Sequence, residues 1–201
     1  IKASCDIMRK TGFVRRLWDR EPTLWTKKKE HHPIIRGGMG WLHVVDQELD
    51  QVERLTAFAE DVKTRGFKHA LLLGMGGSSL CPEVMRLTFG VIKGFPELHV
   101  LDSTVPAQVA AIEKKVDLAK TLCIVASKSG STIEPNCLLR HFWAAVQKKA
   151  GDKASQQFVA ITDPGTSMEK LARERGFRKV FLNPSDIGGR FSALSLFGLV
   201  P

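Results

Sequence analysis

Three short stretches of this 201-residue chain carry residue types that could do chemistry. The densest is Ser127-Lys128-Ser129-Gly130-Ser131-Thr132, which puts four hydroxyls, a glycine and a lysine into six residues. Hydroxyl and amide donors gathered at the start of a helix hold a phosphate well, because each phosphate oxygen accepts several hydrogen bonds. Ser131 and Glu134 stand at capping-box spacing and Pro135 suits a first helical turn, so a helix is expected to leave this loop. The second stretch is Gly74-Met75-Gly76-Gly77-Ser78-Ser79. Its glycines let the backbone approach a ligand closely, and a helix expected after it would add free N–H groups. The third, Asp186-Ile187-Gly188-Gly189-Arg190-Phe191-Ser192, places a cation directly after two glycines. A fixed positive charge of that kind can stabilise an oxyanion as it develops. Each stretch has a plainer reading: a tight strand–helix turn, an ordinary Ser/Thr cap and a surface cation.

The glycine loop also resembles part of a dinucleotide fingerprint, with Asp102 where the ribose-binding acid would stand. Ser79 replaces the third glycine of that pattern, and no GK[ST] follows to make a Walker loop. A dinucleotide site has no need of a second donor-rich cradle, so a dinucleotide-dependent oxidoreductase is the weaker alternative.

The elements that must position these loops follow from hydrophobic patterning. From residue 69 short apolar runs alternate with helical stretches: HALLLG, LHVLDS, TLCIVAS, QQFVAITD and RKVFLN read as strands. SLCPEVMRLTFG, PAQVAAIEKK, EPNCLLRHFWAAVQKKAG and SMEKLARERG read as helices between them. This alternation predicts an α/β fold with a five-stranded, mostly parallel sheet flanked by helices in three layers. Ligands of such sheets bind at the carboxyl ends of the strands, where all three loops would lie. Residues 1–68 read as a helical N-terminal extension. Within it VVDQELDQVERLTAFAEDVKTRG is expected to be one helix ended by Gly66, and KKKEHHPIIRGGMGW a loop. Residues 69–184 would form the phosphate-binding domain, and 185–201 the arginine segment and the start of a further half. The missing initiator Met and the apolar final residues FSALSLFGLVP are read as signs of a longer product.

Net charge is +9, but the excess is spread along the chain and the only basic triplet is Lys27-Lys28-Lys29. Tyr is absent, and the aromatics do not interleave with the cations as a base-stacking surface would. No nucleic-acid partner is expected; the charge suits small anionic ligands. No apolar run reaches membrane-spanning length, and the N-terminus lacks the apolar core of a signal peptide. Cys5, Cys81, Cys123 and Cys137 form no CxxC pair, which suits a reducing cytoplasm and no structural metal. Cys123 falls in an apolar run and is expected in the core. Most of the six histidines are expected at surface or partly buried positions.

Ser127–Thr132 resembles the phosphosugar loop of the sugar isomerase (SIS) fold. GMGGSS, SKSGSTIEP and DIGGRFS, in that order, resemble the glucose-6-phosphate isomerase family over residues 69–201. RRLWDREPTLWTKKK and GMGWLHV are similar to the isomerase part of tandem transaldolase/glucose-6-phosphate isomerases. The resemblance implies reversible conversion of glucose 6-phosphate and fructose 6-phosphate without cofactor, in a cytoplasmic homodimer. It implies that Ser127, Ser129 and Thr132 hold the phosphate, helped by the backbone N–H of Lys128. Gly77, Ser78 and Gly189 would line the substrate, and Arg190 would face the C1–C2 oxygens. The family's base and ring-opening residues lie beyond its arginine segment, and no histidine of this chain matches them. A non-catalytic phosphosugar-binding module is the other alternative.

Overall fold

A computed structural model describes residues 1–201. Its centre is a five-stranded, wholly parallel sheet: β1 His69–Leu73, β2 Glu97–Leu101, β3 Thr121–Ala126, β4 Phe158–Thr162 and β5 Lys179–Leu182. The spatial order is β2-β1-β3-β4-β5. The chain runs outward from β1 to β2, then crosses back to lay β3 on the other side of β1 and continues to β5. The reversal leaves a crevice between the carboxyl ends of β1 and β3, which pair from His69↔Thr121 to Leu73↔Val125.

Every residue of β3 and of β4 is buried, as central parallel strands covered on both faces require. Alternate residues serve two cores. Leu71, Leu73, Cys123, Val125, Phe158 and Ala160 face one side. Ala70, Leu72, Ile124, Val159, Ile161 and Phe181 face the other. Burial pushes the Cys123 thiol up to about 12, so it stays an inert apolar filler.

Ten α-helices surround the sheet: α1 Lys2–Lys10, α2 Phe13–Trp18, α3 His32–Arg36, α4 Val44–Leu49, α5 Val52–Thr64, α6 Leu80–Phe89, α7 Pro106–Lys115, α8 Ile133–Ala150, α9 Ser167–Glu174 and α10 Leu196–Leu199. α8 sends Leu138, Leu139, Phe142 and Val146 into the first core, and α9 adds Met168 and Ala172. The second core is closed by Leu55, Phe58 and Val62 of α5 with Leu196 and Phe197 of α10. No helix is long and apolar enough to cross a membrane.

The stretch expected as one helix is two, broken at Asp50–Gln51. The halves serve different surfaces: α5 turns its apolar stripe to the sheet, whereas α4 buries Val44 and Glu48 and packs against the arginine segment. One straight rod could not do both. Gly66 ends α5 in the left-handed region (φ 77°), as expected. The stretch expected as loop at 27–41 instead holds a 3-10 turn over Lys29–His31 and the short helix α3. Pro33 stands early in α3, where its missing N–H costs nothing, and Gly37 caps the end.

Candidate active site

Segments leaving the carboxyl ends of β1, β3, β4 and β5 meet around an open cleft of about 400 Å³. The tightest contact is between two glycines. A Cβ on Gly77 would stand 2.1 Å from the carbonyl oxygen of Gly189 and 2.5 Å from its carbonyl carbon, so only hydrogen fits. Ser192 locks the approach by donating its hydroxyl to both carbonyls, 2.9 Å from Gly77 O and 2.7 Å from Gly189 O. The glycine loop and the arginine segment are thereby joined into one wall.

The opposite wall is the loop after β3. The hydroxyl of Ser127 donates to Thr132 Oγ1 at 3.3 Å, Ser129 Oγ lies 3.4 Å from the same oxygen, and Ser131 donates to Ser129 at 3.0 Å. The amides of Lys128, Ser129 and Thr132 find no acceptor in the chain, nor does that of Gly77. Unpaired donors with this many hydroxyls beside them are ready for an anion. Gly130 makes the turn possible with φ 68°, and its missing side chain admits Thr166 and Met168, to which a Cβ would stand 2.7–2.9 Å away.

The expected capping box does not form. Thr132 caps α8, without a side-chain cap bond, and the Ser131 hydroxyl is spent on Ser129. Asn136 of α8 does the tying instead, donating to the carbonyls of Gly130 (3.1 Å) and Thr132 (2.7 Å). The loop is thus tied to α8 through its carbonyls by a side chain inside the helix reaching back, and the loop hydroxyls are left facing one another.

Six of the eight residues singled out from sequence line the cleft: Gly77, Ser78, Lys128, Ser129, Thr132 and Gly189. Ser127 does not; it is 2% exposed and reaches the cleft only through Thr132. Arg190 does not line it either. It follows Gly189, is exposed, and its guanidinium makes no ion pair or hydrogen bond within the chain. Asp102, just after β2, is exposed and does not line the cleft.

The remaining lining residues are Met75 and Asp163. Asp163 closes β4, and one of its oxygens pairs with Lys128 Nζ, which also donates to Ser185 O at 3.0 Å. The other oxygen is buried without a partner. Burial pushes the Asp163 carboxyl above its usual range, and the Lys128 ammonium pulls against that. The pair cancels most of the charge Lys128 would bring, so attraction for an anion rests on the neutral amides and hydroxyls. A carboxylate inside an anion cleft was not legible as such: its strand-end position was visible, but its partner lies 35 residues earlier.

The arginine segment is also held from the N-terminal side. Arg20 pairs with Asp186 at 2.7 Å, and the Gly40 amide donates to Asp186 O at 2.8 Å. Trp41 stacks on Phe191 with ring centroids 5.5 Å apart. A Cβ at Gly40 would lie 2.8 Å from the Asp186 carbonyl oxygen, which cannot swing aside as a side chain could, so glycine is favoured there.

Comparisons with known proteins point to one family. The family model described as phosphoglucose isomerase matches residues 24–201. A glucose-6-phosphate isomerase of Carboxydothermus hydrogenoformans is 31% identical over 176 residues, covering 83% of this chain and 38% of the relative. One of Campylobacter jejuni is 31% identical over 195 residues, covering 89% and 46%. The crystal structure of a glucose-6-phosphate isomerase from Chlamydia trachomatis superposes with TM-score 0.68 at 30% identity, over 92% of this chain and 32% of that one. That of a hypothetical protein from Thermus thermophilus gives 0.78 at 26% identity, over 98% and 44%. The chain thus spans less than half the length of these proteins. The match of the family model across the glycine loop, the hydroxyl loop and the arginine segment places this chain in the phosphoglucose isomerase family.

Proposed function

We propose that this chain provides the phosphate cradle and the oxyanion-stabilising cation of an aldose–ketose isomerase acting on glucose 6-phosphate and fructose 6-phosphate. The observation that carries the reading is the set of unpaired amides and clustered hydroxyls at Lys128–Thr132, facing the Gly77–Gly189 wall across one cleft. Ser129 and Thr132 take the phosphate by hydroxyl and amide, Lys128 by its amide, and buried Ser127 orients Thr132. Gly77, Ser78 and Gly189 line the sugar. Arg190, exposed and unpaired, swings over the C1–C2 oxygens when substrate is bound, and its charge stabilises the enediolate that forms as a proton moves between those carbons.

The base for that proton is assigned to a segment outside these residues. Asp163 is the one carboxylate on the cleft, and it is committed to Lys128. The chain by itself is therefore expected to bind a hexose 6-phosphate and not to isomerise it. A cytoplasmic location and a homodimer belong to the same reading.

Isothermal titration with fructose 6-phosphate tests it. Thr132→Val should weaken binding about tenfold or more, the loss of a charge-assisted hydrogen bond of about 1.5–3 kcal/mol, and Ser127→Ala should weaken it less, by loosening Thr132. Unchanged affinity in both, or binding of NAD in place of the sugar phosphate, would refute the assignment.

A further inference from the structure

At the end of the sheet away from the cleft, β1 and β2 bring two imidazoles and a carboxylate together. The strands pair in parallel with His69 opposite Glu97 and Leu71 opposite His99, so all three side chains leave the same face at adjacent positions. His69 Nδ1 and His99 Nε2 lie 3.0 Å apart. One potential ligand atom from each of His69, Glu97 and His99 falls within 4.8 Å of the others. His99 is 2% exposed.

We propose that His69, His99 and Glu97 form a binding site for one divalent transition-metal ion of the zinc type, clamping edge strand β2 to β1. Two imidazoles and a carboxylate are a donor set that zinc, cobalt and nickel accept, with nitrogen bonds of about 2.0–2.1 Å. In a tetrahedral site those bonds set the two nitrogens about 3.3 Å apart. The observed 3.0 Å needs only a slight opening, and the ion replaces the hydrogen bond between the two rings, the donor ring moving its proton to its other nitrogen. Because the imidazoles stand on neighbouring hydrogen-bonded strands, little backbone freedom is lost on binding.

The surroundings set the cost. Lys115, from the end of α7, holds Glu97 Oε1 at 3.2 Å and must release it. Glu97 Oε1 stands 3.8 Å from His99 Nδ1, the nitrogen turned away from His69, and its 38% exposed side chain must swing to the Nε2 side to complete the set. Arg86, tied to Glu83, adds a second cation nearby. His69, half-buried, leaves the ion a water-accessible side.

The site is independent of the isomerase reading and is tested with metal alone. The chelator-treated chain, titrated with cobalt(II), should develop the visible absorption of a low-coordinate ion, saturating at one ion per chain. Zinc should displace it, and a hundredfold excess of free zinc over Kd should raise Tm by about 5–10 °C. His69→Ala and Glu97→Gln, checked for native circular dichroism, should each weaken cobalt binding about tenfold or more. Neither substitution empties the core as His99→Ala would. Absence of the absorption and of the Tm shift would reduce the cluster to a hydrogen-bonded histidine pair and overturn the proposal. So would cobalt binding that is as tight in either variant as in the parent, since the ion would then sit elsewhere, on the exposed cysteines for instance.

Discussion

The contact between Gly77 and Gly189 makes an asymmetric prediction about two residues that look equivalent. In Gly77→Ala the new methyl would begin 2.1 Å from Gly189 O, whereas real Cβ contacts essentially never fall below 3.0 Å. All three nearest atoms are backbone, so no side chain can swing aside, and the two loops must part by about 1 Å. That shift strains both bonds of the Ser192 hydroxyl, at 2.9 and 2.7 Å. Overpacking of this kind costs about 1–3 kcal/mol, or about 4–8 °C in Tm at the middle of that range for a chain of this size. In Gly189→Ala the methyl would find its nearest neighbour, Gly77 Cα, at 4.0 Å, an ordinary contact. Its φ is not in the left-handed region, so its Tm should stay within about 2 °C of the parent. Thermal melts followed by circular dichroism, with fructose 6-phosphate titrations on the same samples, read both effects. Gly77→Ala should lose stability and affinity together. A Gly77→Ala chain that melts and binds like the parent, or a Gly189→Ala chain as damaged, would show that the wall is not built as described.

Arg20 holds a left-handed backbone (φ 52°) while pairing with Asp186. Arg20→Ala and Arg20→Gly both remove the pair, but only glycine removes the strain, so in urea unfolding the glycine variant should be the more stable by about 0.5–1 kcal/mol. Alanine proving more stable would mean that no strain is stored there. Glu48 is buried with Oε2 unpartnered, and burial pushes its carboxyl above the usual range while Arg54 pulls it down. Since the folded state then binds its proton more tightly than the unfolded state, stability from this group is full at acid pH. It is lost as pH rises from the ordinary glutamate range through the raised value. Glu48→Gln should therefore gain on the parent in urea midpoint between pH 4 and pH 7, and a constant gap across that range would rule the effect out.

The sheet and the placement of its loops were readable because five apolar runs, each ended by glycine or small polar residues and spaced by helices, leave few alternatives to a parallel βαβ array. The hydroxyl loop was readable for a similar reason: its chemistry is contiguous in sequence. What escaped was long-range. Asp163 gains its character from Lys128, and Arg20 and Gly40 gain theirs from Asp186, pairings no local pattern encodes. The single helix expected at 44–66 failed because periodicity reports that a face is apolar, not that two successive turns bury against different surfaces. The capping box failed because Ser131 had a nearer partner in Ser129.

The Arg20–Asp186 pair closes a loop of 166 residues. A chain made from its N-terminus cannot form it until the whole sheet has been synthesised. Closing so long a loop adds little entropy cost once the strands between have folded, because that cost grows only with the logarithm of length. α1 and α2, which bury no residue, have little else to hold them meanwhile. The arginine segment is thus finished late, by residues made well before it. During synthesis a protease should find the first twenty residues accessible until the fifth strand is in place, and protected soon after.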